Sequence, residues 1–339
     1  MKRFWKSTRI VLPVILAAGL AACGSQSAGT GQTAPAANEP TELTIALDWY
    51  PNAVHSFLYA AEEQGYFKEE NLKVNLQMPS DSNDPLKMVA AGKVDAAISY
   101  QPQVVQARSE DIPVVSIAAL VRHPLNVIMT RQDSGIREAK DLAGKNIGYP
   151  SIPLDESIVR TVVKKAGGDD SGLKFTDIGF DIVPALTAKK VDAVVGGYIN
   201  HEQVILEKNG IPVNVMKPSD FGVPDYYELV IATSDATLGK KQQALKAFLR
   251  AAAKGQDYVA KNKEKALQLL LSKQAKEFPL EEDVEKKSLD ILLPLMDAGS
   301  QPFGSQTAES WQTLSDWMKQ EQLIKKDVKA EEVMKNLAE

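Results

Sequence analysis

A repeated segment is the feature that most constrains the fold of this chain. Leu86–Ser99 returns as Leu186–Gly196, and within the two copies Lys93-Val94-Asp95-Ala96 matches Lys190-Val191-Asp192-Ala193. Each copy has the pattern of a helix, a tight turn and a buried strand. The copies are too far apart for a solenoid, whose units recur every ~20 to 50 residues. The repeat therefore predicts two similar lobes that share a helix-to-strand unit, with chance similarity of a common unit as the alternative.

Short apolar strands alternate with amphipathic helices around the first copy. The predicted elements are strands at Leu43–Leu47, Val74–Met78 and Ala96–Ser99 and helices at Ser56–Gln64 and Asp84–Ala91. This alternation is typical of an α/β protein with a mostly parallel sheet covered by helices. Ligands of such sheets bind at the carboxyl ends of the strands, in the loops that lead into helices. We therefore look for ligand contacts in those loops.

The later part of the chain predicts two crossings between the lobes. A strand at Leu125–Thr130 leads into lobe two, and a strand at Tyr226–Thr233 leads back to lobe one, after which the pattern is helical. The expected divisions are residues 41–127 and 231–339 for lobe one and residues 128–230 for lobe two. A chain that crosses twice has a hinge and a cleft, which suits closure around a small molecule.

The first residues have the pattern of a bacterial lipoprotein leader. Residues 1–22 combine a basic start with an apolar run too short to span a bilayer, which is typical of a signal peptide. Small residues stand directly before Cys23, so we expect Cys23 to be the lipidated first residue of the mature protein. Two acyl chains would then anchor it stably, whereas one would not. The alternative is a secreted protein with an incidental cysteine. Residues 23–40 have the composition of an unfolded tether.

Composition excludes several classes of function. Cys23 is the only cysteine, so a mature domain with this residue lipidated has no disulfide, catalytic thiol or cysteine-ligated metal cluster. Removing residues 1–22 removes four of 39 basic residues and none of the 44 acidic ones, which leaves a formal charge of 35 − 44 = −9. That balance argues against nucleic acid, and against any membrane contact beyond the lipid anchor. The three histidines lack metal-like spacing, so we expect no metal. We also expect no cofactor and no catalytic residue, and we expect the protein to be a monomer.

The loop after the first predicted strand carries an unusual set of side chains. Asp48–His55 contains two adjacent aromatic rings, a proline, an amide and an imidazole. Trp49, Asn52 and His55 are candidate ligand contacts. For His55, the start of a helix favours the neutral imidazole, which can form a hydrogen bond with a neutral heterocycle. The alternative is structural: the rings close the end of the sheet, Asn52 caps the helix and His55 is a buried core group.

Two further loops follow the two copies of the repeat. Tyr100 and Gln101 follow the first copy, and Tyr198 and Glu202 follow the second. Because Tyr100 and Tyr198 are nearly equivalent, their rings are expected to approach a planar ligand from opposite sides of the cleft. A carboxylate such as Glu202 suits an aminopyrimidine, whose protonated ring nitrogen and amine present two donors. Packing of both tyrosines at the sheet ends is the alternative.

Lobe two and the return crossing offer the remaining candidates. Asp155 and Glu156 begin a helix after a predicted strand, where Asp155 either contacts the ligand or caps the helix. Tyr226-Tyr227-Glu228 lies on the return crossing, and Tyr227 is a candidate contact there. One of these two tyrosines is expected to be buried as hinge packing instead.

With these residues in view, the region from about Leu43 to Ser234 resembles the solute-binding lipoproteins of ABC importers for thiamine pyrimidine precursors, which are relatives of the fungal thiamine-pyrimidine synthases. The matching motifs are Asp48–His55 with Tyr59, Gln64–Lys68, Ala90–Gly92, Ile98–Gln101 and Ile112–Ala119. The resemblance implies a two-lobed type II periplasmic-binding-protein fold with a pyrimidine stacked on aromatic rings in the cleft between the lobes. The residues at matching motif positions are Trp49, Asn52, His55, Tyr100 and Tyr198. Around Tyr198 the chain departs from the family pattern, which is richer in aromatic residues and has a tryptophan nearby.

The resemblance also implies partners and a location. It implies an extracytoplasmic protein, anchored to the cell membrane by its lipid, that captures hydroxymethyl- or formylaminomethyl-aminopyrimidine and delivers it to an ABC permease and its ATPase. Binders of riboflavin precursors, sulfonates and nitrate share much of the framework and are alternatives. A pyrimidine synthase is an alternative of another class, but the fungal enzymes carry an iron-linked cysteine cluster that this chain lacks. A sensor lipoprotein with the same cleft is the third possibility.

Overall fold

The computed structural model of the protein describes residues 39–337, which fold into two mixed sheets with helices on their faces. The predicted signal peptide, Cys23 and the tether as far as Asn38 lie outside the described residues. Within the described range, the helices are all too short or too polar to cross a membrane. The α/β prediction is therefore confirmed for the folded part of the chain.

The strands and helices follow the predicted order. The strands are β1 (Thr41–Ala46), β2 (Leu72–Gln77), β3 (Ala96–Ser99), β4 (Val114–Val121), β5 (Asn126–Arg131), β6 (Asn146–Tyr149), β7 (Lys174–Asp177), β8 (Ala193–Tyr198), β9 (Val213–Met216) and β10 (Leu229–Ser234). The helices are α1 (Ser56–Glu63), α2 (Tyr66–Glu69), α3 (Asp84–Ala90), α4 (Gln101–Ser109), α5 (Pro153–Lys165), α6 (Ile182–Thr187), α7 (Glu202–Lys208), α8 (Asp235–Lys261), α9 (Lys263–Ser272), α10 (Glu282–Met296), α11 (Ala308–Gln320) and α12 (Ala330–Val333).

The two sheets have the same topology, which confirms the interpretation of the repeat. One sheet has the strand order β2-β1-β3-β10-β4 and the other has the order β7-β6-β8-β5-β9. The repeated strands β3 and β8 occupy the same place in their sheets. The repeated aspartates also accept equivalent hydrogen bonds. Asp95 Oδ2 accepts from the Thr44 amide at 2.9 Å, and Asp192 Oδ2 accepts from the Asn146 amide at 2.8 Å. Each aspartate thus ties its turn to the neighbouring strand of its sheet.

The expectation of mostly parallel sheets is wrong for the strands that follow the crossings. β10 runs antiparallel to β3 and β4, and β5 runs antiparallel to β8 and β9, while the pairs formed by β1 and β6 are parallel. A strand that arrives directly from the other sheet needs no crossover helix, and antiparallel pairing accommodates it. Alternation of strands and helices in the sequence does not reveal this insertion.

The chain passes between the sheets twice, through connectors at residues 122–125 and 217–228. The predicted lobe limits at 127 and 230 therefore fall just inside the strand that follows each connector. The two connectors lie side by side, because His123 Nδ1 is 2.8 Å from a carboxylate oxygen of Asp225 and Glu228 reaches the backbone of the other connector. Together they form a double joint between the lobes.

Helix α8 packs closely on α1 at Gly255. A β-carbon at this position would lie 2.1 Å from the carbonyl oxygen of Phe57 and 3.0 Å from the β-carbon of Ala61. The two helix backbones therefore approach more closely than any other side chain would permit. Since α1 directly follows the Asp48–His55 loop, this contact also fixes the position of that loop.

Candidate ligand-binding site

A cavity lies between the two sheets, at the carboxyl ends of β1, β3, β6 and β8. Its empty volume is about 720 Å³, which includes the solvent at its mouth. The residues that line it are Asp48, Trp49, Asn52, Val54, Tyr100, Pro102, Gln103, Asn126, Pro150, Ile152, Leu154, Asp155, Ile158, Gly196, Tyr198, Asn200, His201, Glu202, Tyr226 and Glu228. Both sheets contribute walls, so the cavity is the cleft of the two-lobed fold in a closed form.

Aromatic side chains form one part of the wall. Trp49 comes from the β1 loop, but its ring packs in the hydrophobic cluster of the other sheet, with its centroid 4.4 Å from Phe180 at an interplanar angle of 82°. The ring of Tyr50 stacks on Phe278 at 4.6 Å and 1°, and Phe180 meets Phe278 edge-on at 5.5 Å. Trp49 is the member of this cluster that lines the cavity, and the other three rings lie outside the lining.

The two tyrosines that follow the repeated strands both line the cavity. The Tyr100 hydroxyl lies 3.4 Å from Asp48 Oδ2, and the Tyr198 hydroxyl lies 3.3 Å from Glu228 Oε1. Burial, reinforced by neighbouring carboxylates, raises the pKa of both tyrosines well above its ordinary value. Both phenols are therefore protonated donors that face acidic acceptors.

Acidic side chains dominate the polar part of the wall. Asp48, Asp155, Glu202 and Glu228 line the cavity, and all four are buried. Among the described residues that line it there is neither lysine nor arginine, and the basic member is His201. A buried wall of this charge favours solutes that present donors or positive charge and disfavours anions.

Asp155 and Glu228 share an environment that favours their neutral forms. Burial is the main reason that the pKa of Asp155 rises to about 7, and the charge of Glu228 adds to it. Burial likewise raises the pKa of Glu228 to about 7, against the opposing effect of the Asn126 and Leu125 amides, which donate to its Oε2 at 2.9 and 2.6 Å. Asn126 links the two acids, because its side-chain amide also donates to Asp155 Oδ1 at 3.3 Å.

His201 connects the cavity wall to α10 through a buried ion triad. Its Nδ1 is 2.7 Å from Glu202 Oε1, and its Nε2 is 3.3 Å from Glu285 Oε1. Burial lowers the pKa of His201, but the charges of Glu202 and Tyr50 and the bonds to both glutamates outweigh it and hold the pKa well above its ordinary value. Glu285 Oε2 also accepts from the Ala53 amide at 2.7 Å. The triad therefore joins the β1 loop, the end of β8 and α10.

Six of the ten predicted ligand contacts line the cavity, and they are Trp49, Asn52, Tyr100, Asp155, Tyr198 and Glu202. Asn52 also performs the predicted structural role, since its Oδ1 accepts from the Val54 amide at 3.0 Å as a helix cap. For this residue the structural and the binding interpretations are compatible.

His55 and Gln101 lie behind the wall of the cavity. His55 is fully buried, with its Nδ1 accepting from the Asn52 amide at 3.2 Å and its Nε2 2.9 Å from Asp48 Oδ1, so it orients two lining residues. The Oε1 of Gln101 accepts from the Tyr227 amide at 2.7 Å and so ties the return connector to α4. Gln103, one residue beyond the neighbouring proline, faces the cavity instead.

Glu156 and Tyr227 also lie outside the lining. Glu156 is half-buried beside Tyr149 and does not line the cavity. The Tyr227 hydroxyl accepts from the Thr307 amide at 3.0 Å, and its ring lies under the guanidinium of Arg122. The connector is extended here, so alternate side chains share a face. Tyr226 and Glu228 therefore both face the cavity. The alternation of side chains along an extended segment is the sequence signal from which both could be predicted as lining residues.

Asp48 and Asn126 were also missed. Asp48 stands in the predicted loop and lines the cavity, but the composition of the loop does not indicate which of its side chains face the cavity. Asn126 begins β5, and its proximity to Asp155 and Glu228 depends on the lobe arrangement. Within residues 39–337, groups of three or more His, Cys, Asp or Glu side chains suited to hold a metal ion are not found.

Comparison with known proteins agrees with this geometry. The chain is 40% identical over 335 residues to the formylaminopyrimidine-binding protein of Halalkalibacterium halodurans, covering 98% of this chain and 100% of the relative. It is 27% identical to the 4-amino-5-hydroxymethyl-2-methylpyrimidine phosphate synthase of Legionella pneumophila, over 68% of this chain and 73% of that one.

Among solved structures, the alkanesulfonate-binding protein of Xanthomonas axonopodis pv. citri matches with a TM-score of 0.68 at 15% identity, covering 88% of this chain and 100% of that one. That likeness confirms the periplasmic-binding-protein fold. The family model described as NMT1/THI5 like matches residues 52–266. The chain therefore belongs to the NMT1/THI5-like family.

Proposed function

We propose that this protein is the extracytoplasmic solute-binding component of an ABC importer and that it captures a thiamine pyrimidine precursor. The ligand class follows from the chemistry of the cavity and from the binding activity for which the Halalkalibacterium relative is named. Residues 1–22 would act as the signal peptide, Cys23 as the lipidated first residue and the segment to Pro40 as the tether. A permease with its ATPase would receive the solute from the closed form.

The observation that carries this proposal is an aromatic cavity whose polar wall is acidic and contains no lysine or arginine among its described residues. An aminopyrimidine presents an exocyclic amine as donor, a ring nitrogen as acceptor or, once protonated, donor, and a flat ring that stacks on aromatic side chains. Sulfonate and nitrate are anions, which such a wall disfavours because a buried carboxylate repels them. The cavity thus favours the pyrimidine over the ligands that other binding proteins of this fold take.

Capture requires closure but no chemical step. The wall residues Asp48, Trp49 and Tyr100 come from the loops of the first sheet, and Asp155 and Glu202 come from those of the second. A solute that contacts both sets stabilises the closed arrangement by its differential affinity for it. Micromolar binding corresponds to about 8 kcal/mol, which stacking, apolar burial and a few hydrogen bonds can supply. We therefore assign binding rather than synthesis to this chain.

The direct test is calorimetric titration of the protein with 4-amino-5-hydroxymethyl-2-methylpyrimidine, its formylaminomethyl counterpart, an alkanesulfonate, nitrate and riboflavin. We expect saturable binding of one or both aminopyrimidines and no binding of the alkanesulfonate or of nitrate. Binding of a sulfonate or nitrate without any aminopyrimidine would contradict the ligand class and leave the binding-protein assignment in place.

Replacing Trp49 by alanine is expected to weaken aminopyrimidine binding by roughly 1 to 3 kcal/mol, because it removes an aromatic surface of the cavity and its packing with Phe180. Trp49→Phe should retain part of the affinity. Tyr227→Phe is the matched control, since Tyr227 is also a buried aromatic residue but lies outside the lining. Unchanged affinity in folded Trp49→Ala would remove Trp49 from the site.

A further inference from the structure

Two oxygens of lining residues are buried without a partner, Asp155 Oδ2 and Asn200 Oδ1, and the first belongs to a carboxyl group. Asp155 Oδ1 receives the Asn126 side-chain amide, but Oδ2 has no hydrogen-bond partner within residues 39–337, and the residue is 4% exposed. It lies near Gly196, where a β-carbon would be 3.4 Å away from it. A buried carboxylate oxygen with no donor is costly. Either a proton or a donor on the solute must satisfy it.

Glu228 is the acid whose charge acts on Asp155, and its two oxygens differ. Oε2 is fully engaged by the Leu125 and Asn126 amides, while Oε1 is contacted by the Tyr198 hydroxyl at 3.3 Å. Since Asn126 bonds both acids, their positions relative to each other are fixed by one residue. Asp155 Oδ2 and Glu228 Oε1 are therefore the positions of this pair that remain open to a solute.

The groups around the pair do not neutralise it. The titratable side chains that face it from other elements are Asp48 beyond β1, Tyr100 before α4, Tyr198 at the end of β8 and Tyr226 on the return connector. These comprise one further acid and three phenols. His201 lines the same cavity, but its two ring nitrogens face Glu202 and Glu285. Among the described residues the hydrogen bonds to the two acids come from amides and a phenol, and two buried carboxylates without a direct cationic partner cannot both be ionised cheaply.

Building on the proposed function, we propose that Asp155 and Glu228 together hold one proton when the solute is bound, so that they present one donor and one acceptor to adjacent ring-nitrogen and amino groups. This pattern matches the edge of a 4-aminopyrimidine, in which a ring nitrogen accepts and the exocyclic amine donates. One proton is also sufficient if it moves to the ring nitrogen, because the two carboxylates then accept hydrogen bonds from the ring nitrogen and from the exocyclic amine. The burial that raises the pKa of each acid to about 7 supports this protonation in the empty site.

Capture is then linked to proton uptake above neutral pH. Between the two titration steps of the pair, one proton is already present, and binding leaves the proton count unchanged. Below the lower step both acids are protonated, and binding releases one proton. Above the upper step, the proton must come from the buffer, so the affinity falls by roughly tenfold for each further pH unit. At the alkaline end of the range, well above the titration of its own ring nitrogen, the free aminopyrimidine is neutral, so the fall in affinity there is assigned to the acid pair.

The experiment is calorimetric titration of the protein with 4-amino-5-hydroxymethyl-2-methylpyrimidine and its formylaminomethyl counterpart between about pH 6 and about pH 9, in buffers that differ in ionisation enthalpy. Near pH 9 we expect uptake approaching one proton and a Kd weakened by at least tenfold relative to pH 7. Glu228→Gln keeps one oxygen for the two backbone amides and supplies a permanent donor, so its Kd should be nearly constant above neutral pH. Asp155→Asn should behave in the same way. Glu156→Gln, next to Asp155 but outside the cavity, should retain the pH dependence of the unaltered protein.

The outcomes are distinguishable. Pyrimidine binding with no proton uptake and a constant Kd would overturn this inference and leave the proposed function intact. Proton uptake that persists in folded Glu228→Gln and Asp155→Asn would assign the proton to another group and overturn it as well. Absence of pyrimidine binding at every pH would overturn the proposed function and the inference with it. The unaltered protein alone decides the first and third outcomes, so the test does not depend on the variants folding.

Discussion

Replacing Gly255 by alanine is expected to destabilise the protein by about 3 kcal/mol. The new β-carbon would lie 2.1 Å from the Phe57 carbonyl oxygen, which belongs to the backbone of α1 and cannot rotate away. Helices α1 and α8 must then separate, and the buried residues between them lose contacts. Helix propensity opposes this loss by no more than about 1 kcal/mol. The urea midpoint of unfolding measures the difference.

Gly239 is the control, because it lies in the first segment of α8, before the kink at Lys241, and has no atom within 4 Å of a β-carbon position. Gly239→Ala is expected to leave stability unchanged or to raise it by up to about 1 kcal/mol. Since α1 follows the Asp48–His55 loop, folded Gly255→Ala should also bind the solute more weakly. Equal midpoints for the two variants would contradict the close helix contact.

Removing the carboxylate of Glu285 by substitution with alanine is expected to cost about 3 to 5 kcal/mol of stability. The change leaves the Ala53 amide unpaired in the interior and removes one of the two acids that stabilise a buried imidazolium at His201. Glu285→Gln should be milder, since its amide oxygen can still accept from Ala53. The control is Glu282→Ala on the exposed side of the same helix, for which little change is expected.

The pH dependence separates loss of the triad from loss of packing. The pKa of His201 is raised in the folded protein, so its contribution to stability is fully present below the unfolded pKa near 6.5 and is lost as the pH rises through the higher folded value. Glu285→Gln should lower the folded pKa, and that loss should then occur at lower pH. A His201 imidazole signal in NMR that titrates identically in both proteins would contradict the role of Glu285.

The sequence was sufficient to predict the loops of the site because its rule is local. Trp49, Tyr100 and Tyr198 directly follow strands, and strand ends in an α/β sheet meet at the ligand side. Side chains on a loop nevertheless alternate in direction, so His55 and Gln101 orient their neighbours from behind. The hydrophobic periodicity of a sequence does not indicate in which direction the side chain of a residue in a short loop points.

Residues that depend on long-range placement could not be predicted in this way. Glu285 reaches the β1 loop from a helix far along the chain, and Asn126 meets Glu228 only because the two connectors run side by side. The antiparallel pairing of β5 and β10 could not be predicted for the same reason, since the pattern of a strand does not specify which strands lie beside it. These features depend on which surfaces come together when the lobes form, and no local pattern encodes that choice.

The placement of Glu228 has a consequence for how such a protein can diverge. Glu228 lines the cavity while its Oε2 accepts the amides of Leu125 and Asn126, so in the proposed function one side chain serves both recognition and the joint between the lobes. A substitution there that retunes the ligand also alters the joint, whereas a change at Trp49 or Tyr100 leaves the joint untouched. Lineages that acquire a new solute therefore have freer choice at the strand-end loops than at the connector, and Glu228 constrains the path by which specificity evolves.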